Sequence, residues 1–347
     1  RVDGLGHIDF VKGLAIFLMV MGHALSWSMT DSGCPRTVDS WFVREVIYSF
    51  HMPLFMFMSG YVIDLKNKIW SWDICSKAVN SRLRTLLLPC FSFKVLGIIA
   101  SVIVGGNIIL NGEMPWFLRA LFEIALLFTV LKWLLYKIRV VNRIVEIVCL
   151  MSGYGFIFIL THIFRNSAVD EWIGFTQFQI MYPYFICGYA FRKFETKLKG
   201  NWIYTLMVVI YALAFYYYQY AQLSSSIHSA MRYILALAGI FVVYHLAFTY
   251  CKSNSRIVSI FEYLGVHSIE IYLLSKYFTP RVPKIGQFIY ETSLIPNEYL
   301  ATSIFLQNVI GIALSIYCVA CCLLVMKIIE KSEILALLFF GRKRQCS

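Results

Sequence analysis

Long apolar runs alternate along the chain with short polar interruptions. About ten runs stand out, roughly at 9–28, 46–63, 84–104, 116–134, 141–162, 175–191, 202–220, 230–250, 260–279 and 301–328. Each approaches the ~18 or more apolar residues that an α-helix needs to cross about 30 Å of hydrocarbon. No polar stretch between them has room for a soluble domain. The pattern predicts an all-α polytopic membrane protein, a bundle of about ten transmembrane helices forming one domain over residues 1–347. The connections 29–45 and 280–300 are the long ones on the expected outer side.

Charge then orients the bundle. Hydrophobic residues make up 59% of the chain and charged residues 14%, against roughly a quarter charged in soluble domains. The basic residues gather in alternate loops around 66–82, 132–143, 192–199 and 252–256 and in the tail 342–344. The positive-inside rule therefore places both termini in the cytoplasm. The same distribution explains the net charge of +12 without nucleic acid, because the cations form no continuous patch. The ten cysteines lie mostly inside apolar runs, Cys321 beside Cys322 among them, with no paired CxxC spacing. They read as small apolar helix residues, and neither a metal site nor a disulfide framework is expected. The first run is too long and too polar on one face for a cleaved signal peptide. The aromatic cluster from Phe215 to Tyr218 reads as an interfacial anchor.

Several ionisable residues interrupt the apolar runs, and each costs at least about 2.5 kcal/mol if it faces lipid. Lys12 and His23 are separated by close to three helical turns, so they share one face about 16 Å apart, with Asp9 near the same stripe. An imidazole at His23 can accept a proton from a hydroxyl and return it to a leaving group. In SFHMPLFMFMSGY, Ser49 to Tyr61, His51 offers a second imidazole and Pro53 removes a backbone donor, a local distortion that can line a cavity. Gly60 permits close helix approach. RLRTLLLP, Arg82 to Pro89, puts two guanidinium groups at an expected helix start, where the positive end of the dipole also favours phosphate. In PWFLRALFE, Arg119 and Glu123 share a face and are expected to pair. Lys94, Arg232, His245 and Glu270 are further ionisable residues within the runs. A transporter or flippase for a small polar solute would also need many spans and buried charges.

IDFVKGLAIFLMVMGHA, SFHMPLFMFMSGY, RLRTLLLP and PWFLRALFE, with weaker echoes in YPYFICGYAFRKF and YLGVHSIEIYLLSKYF, resemble acyltransferase family 3. These are multi-pass membrane O-acyltransferases of cell-envelope carbohydrates, and the likeness is closest to the fucose 4-O-acetylase-like subgroup. The resemblance implies a functional pair at Lys12 and His23, with Lys where Arg is commoner, and assigns Arg82 and Arg84 to the phosphates of the acyl donor. Ser275 stands where many relatives carry histidine. The implied reaction moves an acetyl or other short acyl group from cytoplasmic acyl-CoA to a hydroxyl of an exported polysaccharide or its lipid-linked precursor. His23 would serve as base, with Lys12 or Asp9 orienting the donor and His51 as a second functional histidine. A covalent route through Ser59 or Ser275 has no triad spacing behind it. The implied setting is the bacterial cytoplasmic membrane, with membrane lipid, acyl-CoA and a carbohydrate acceptor as partners and no metal.

Overall fold

Every regular element among the described residues is helical. The structure, a computed structural model, describes residues 6–64, 69–105, 114–165, 167–195, 201–221, 224–251, 255–294 and 299–342. The helices are α1 (Gly6–Asp31), α2 (Val38–Val62), α3 (Trp72–Arg82), α4 (Leu88–Gly105), α5 (Trp116–Lys137), α6 (Arg143–Phe164), α7 (Ala168–Ile173) and α8 (Phe175–Phe194). They continue with α9 (Asn201–Tyr220), α10 (Ser225–Tyr250), α11 (Arg256–Val266), α12 (Ser268–Phe278), α13 (Pro283–Ser293), α14 (Tyr299–Ile329) and α15 (Glu333–Phe340). A single π turn, Leu83–Leu87, joins α3 to α4. Of the basic loop residues, Lys66, Lys68, Lys197, Lys199, Lys252, Lys343 and Arg344 lie outside the described residues.

By length and composition, α1, α6, α9, α10 and α14 can cross a membrane, and α11 with α12 makes a sixth if the pair is one span. The protein is thus a helical membrane protein. All of the predicted apolar runs fall on helices, but α5 carries Arg119, Glu123 and Lys132, and that charge takes it out of the purely apolar class. The run 260–279 is not one straight helix: it is two helices bent by 84° at His267. There the backbone leaves helical geometry, and Glu270, 1% exposed, enters the first turn of α12, where the helix dipole favours a carboxylate. The long connections also change. Only residues 32–37 separate α1 from α2, and most of 280–300 forms the amphipathic α13.

The chain divides into two compact units, 1–55 with 196–326, and 56–195 with 327–347. In the first, α1 is the central helix and packs along α11 and α13. Glycines set that closeness. A Cβ on Gly13 would run into the carbonyl of Phe261, and a Cβ on Gly265 into the carbonyl of Asp9. The two backbones touch at both points, as small residues allow in membrane helix pairs. Gly286 of α13 meets the Ser28 carbonyl in the same manner, while the Ser28 hydroxyl accepts from the Val282 N–H at 3.1 Å. Phe215 is buried with Leu235, whereas Tyr216 and Tyr217 are exposed, as interfacial anchors would be.

The second unit repeats the device. Gly60 of α2 meets the Phe185 carbonyl and Gly188 of α8 meets the Phe57 carbonyl, which is the close approach expected at Gly60. The π turn has a cause in Pro89. Proline cannot donate to the carbonyl four residues back and crowds it, so the ladder widens and the Leu88 N–H reaches the Leu83 carbonyl. Asn142 caps α6 by accepting from the Ile144 and Val145 N–H groups. The described cysteines are all free.

Candidate functional site

Two helices of the first unit supply an alternating row of rings and cations. His23 and Trp27 lie one helical turn apart on α1, and their rings stack at 5.5 Å with only 4° between planes. On α2 the spacing Arg44, Tyr48, His51 follows the four-then-three step that keeps side chains on one face. The Tyr48 ring meets His23 edge-on at 5.9 Å and His51 at 5.0 Å. Gly22 leaves room for it, since a Cβ there would press on the Tyr48 ring. His51 is 3% exposed and its Nδ1 lies 2.9 Å from the Ile47 carbonyl. A carbonyl accepts only from N–H, so Nδ1 carries the proton and neutral His51 presents Nε2 as an acceptor. His23 is half-buried.

Guanidinium groups close the row at both ends. Arg44 Cζ sits 3.7 Å above the centre of the Tyr48 ring, and Arg281 Cζ sits 4.6 Å above Trp27. Arg36 and Arg44 both lie over Trp41, at 4.9 and 5.3 Å. Their acids are few. Glu45 Oε1 accepts from both Arg36 and Arg44, and Asp31 stands 3.9 Å from Arg281. Beneath, Met21, Leu25, Met29, Val43, Ile47 and Ile289 form an apolar floor.

The structure brings His23 and His51 together around Tyr48, within electrostatic reach of each other. It pairs Lys12 with Asp9 at 3.8 Å, both partly exposed, on the N-terminal part of α1. Arg82 and Arg84 belong to the second unit. Arg82 is half-buried, with Nη1 at 3.4 Å from the Thr129 hydroxyl, and Arg84 is exposed. The helix-start premise for these two is corrected: the helix begins at Trp72, so the arginines stand at the π turn and no free helix N-terminus adds to their field. Arg119 and Glu123 lie within electrostatic reach of each other, as expected. Arg119 donates to the Trp172 carbonyl at 3.2 Å, and Glu123 Oε2 is buried without a hydrogen-bond partner. Lys94 lies over the Trp172 ring at 3.8 Å, His245 stacks on Tyr204 at 3.7 Å, and Arg232 is exposed. The Ser275 hydroxyl donates to the Tyr272 carbonyl in its own helix at 3.0 Å. Among the described residues no group of three or more His, Cys, Asp or Glu is placed to hold a metal ion. Trp27, Arg44, Tyr48 and Arg281 are the site residues that the sequence reading did not assign a role.

A different ionic group lies within the second unit. Lys132 donates to Glu146 and, at 3.1 Å, to the Tyr189 hydroxyl, and Tyr189 in turn donates to Glu146 at 2.6 Å. Asp64 accepts from Lys193 at 3.1 Å and lies 4.0 Å from Lys132. Glu195 accepts from Tyr61 and Arg192 at 2.8 and 3.0 Å.

The sequence also matches known proteins. The family model described as "Acyltransferase domain", that of acyltransferase family 3, matches residues 5–327. Nodulation protein NolL of Sinorhizobium fredii is 39% identical over 84 residues, 23% of this chain and 21% of that protein. Nodulation protein NolL of Mesorhizobium japonicum is 36% identical over 81 residues, 23% of this chain and 20% of that protein. The chain thus matches about a fifth of the length of these curated relatives. No solved structure matches it.

Proposed function

The chain belongs to acyltransferase family 3, and from that premise we propose that it is a membrane O-acyltransferase. The reaction transfers an acetyl or other short acyl group from acyl-CoA to a hydroxyl of an exported polysaccharide or its lipid-linked precursor, in the bacterial cytoplasmic membrane. The observation that carries the reading is His23, a half-buried imidazole on the central helix, held by ring contacts from Trp27 and Tyr48, with His51 on the same Tyr48 ring. His23 takes the proton of the acceptor hydroxyl as its oxygen attacks the thioester carbonyl, the C–S bond breaks, and the imidazolium returns the proton to the departing thiolate. His51, fixed by the Ile47 carbonyl, is a positioning residue behind Tyr48. Arg82 and Arg84, one half-buried and one exposed, offer N–H groups to the phosphates of acyl-CoA. Lys12 and Asp9 orient the donor along α1.

The test uses purified protein in proteoliposomes with radiolabelled acetyl-CoA and a panel of oligosaccharide acceptors. Wild type transfers label and His23→Ala does not. Equal transfer by the His23→Ala variant removes that residue from the reaction, and absence of transfer and of thioester hydrolysis in wild type removes the enzyme reading. The break between α11 and α12 favours one alternative, a transporter or flippase, because bent helices with a buried carboxylate also build solute sites. Solute flux through the same proteoliposomes without acyl-CoA would support that alternative.

A further inference from the structure

Cations flank the reactive imidazole on both sides, and their charge is only partly matched. Along the row, Arg44 caps Tyr48, Tyr48 meets His23, His23 stacks on Trp27, and Arg281 caps Trp27. Glu45 brings one negative charge to two guanidinium groups, so among the described residues the carboxylates paired at that end number one fewer than the cations. Asp31 stays 3.9 Å from Arg281, too far for a strong hydrogen bond. Arg44 Nε is buried with no hydrogen-bond partner. At the other end Arg281 is 58% exposed, open to a ligand arriving at His23, whereas Arg44 keeps 18% of its side chain exposed beside the open Arg36.

Rings and guanidinium groups ask for different parts of a ligand. Indole and phenol faces accept the apolar C–H face of a sugar, and an arginine fork accepts a carboxylate or phosphate in a bidentate arrangement. We propose that the acceptor held at His23 is an anionic sugar, bearing a carboxylate or phosphate near the hydroxyl that is acylated, and that Arg281 and Arg44 select it. This rests on the reading of His23 as the acyl-transfer base but concerns binding, which can be measured without turnover.

The experiment places the full chain in nanodiscs of phosphatidylcholine and titrates three probes by calorimetry. They are a trisaccharide ending in glucuronic acid, the same trisaccharide ending in glucose, and the glucose form carrying a terminal phosphate monoester. Wild type is expected to bind at least one charged probe roughly tenfold or more tightly than the neutral one at low salt, with the preference shrinking as salt rises. Whichever charged probe binds tighter tells carboxylate from phosphate. Arg281→Gln and Arg44→Gln are expected to lose the preference while still binding the neutral probe, which also reports that each variant is folded. Equal binding of neutral and charged probes by wild type overturns the proposal, as does a preference that survives both substitutions. Loss of the preference when phosphatidylglycerol is added also overturns it, because the arginines would then be lipid headgroup ligands. Acyl transfer lost in His23→Ala but indifferent to acceptor charge would leave the proposed reaction standing and this inference alone rejected.

Discussion

Lys132 and Arg44 are both cations within the helical framework, and the protein treats them in opposite ways. Around Lys132 the near partners are oxygens, Glu146, the Tyr189 hydroxyl and, more distantly, Asp64, while the ring faces of Tyr189 and Trp70 stand farther off at 5.3 and 5.8 Å. Acids and bases there are closely matched, and hydrogen bonds lock the ends of α5, α6 and α8. Around Arg44 the main partner is a ring face, and the one carboxylate is shared with Arg36. A saturated network gives rigidity but has nothing to offer a ligand. Cations resting on rings keep N–H groups available, and a cation–π contact of about 0.5–2 kcal/mol holds them in place without using those groups up. The contrast separates a clamp from the proposed site.

Substitutions can break this contrast in graded steps. The largest effect is expected at His23→Ala, with acyl transfer falling about 10²-fold to 10⁴-fold and thermal unfolding in detergent hardly moved. Lys132→Met should do the reverse. Removing one partner of a buried ionic network costs about 3–5 kcal/mol, so purified Lys132→Met should unfold at a clearly lower temperature, and an unchanged unfolding temperature would show the network to be decorative. Arg82→Gln should raise the KM for acyl-CoA about tenfold, the value of a lost charge-assisted hydrogen bond, with the acceptor KM unmoved. The smallest step is Tyr189→Phe, expected to cost about 1 kcal/mol in unfolding free energy, because Lys132 keeps Glu146.

Much of this was legible in the residues. The apolar runs marked where helices lie, and Gly60 announced a close contact because a glycine in a membrane helix invites one. His23 and His51 were conspicuous as imidazoles in apolar surroundings. What stayed hidden was whatever depends on tertiary pairing. The run 260–279 contains no proline, and its cluster of Gly265 with the polar His267, Ser268 and Glu270 marks the place of the break but not its 84° angle. Trp27 and Tyr48 looked like ordinary membrane aromatics, and only their juxtaposition with His23 gives them a task. The four-then-three spacing of Arg44, Tyr48 and His51 is the available signal, masked because Arg44 falls in 29–45, which reads as a connection. α2 in fact starts at Val38, which puts Arg44 well inside a helix.

The π turn carries one more consequence. Relative to an α-helix, a π turn inserts a residue, and one residue is about 100° of rotation. The compass direction in which Arg82 and Arg84 point, measured against α4, is therefore set by Pro89 further along the chain. Replacing Pro89 by alanine would give the ladder back its missing donor and let the turn tighten to ordinary helix. The arginines would then swing about a quarter-turn around the axis while keeping their sequence, their charge and their depth. A proline that touches no substrate would thus act as the azimuth setting of the two cations proposed to meet the acyl donor.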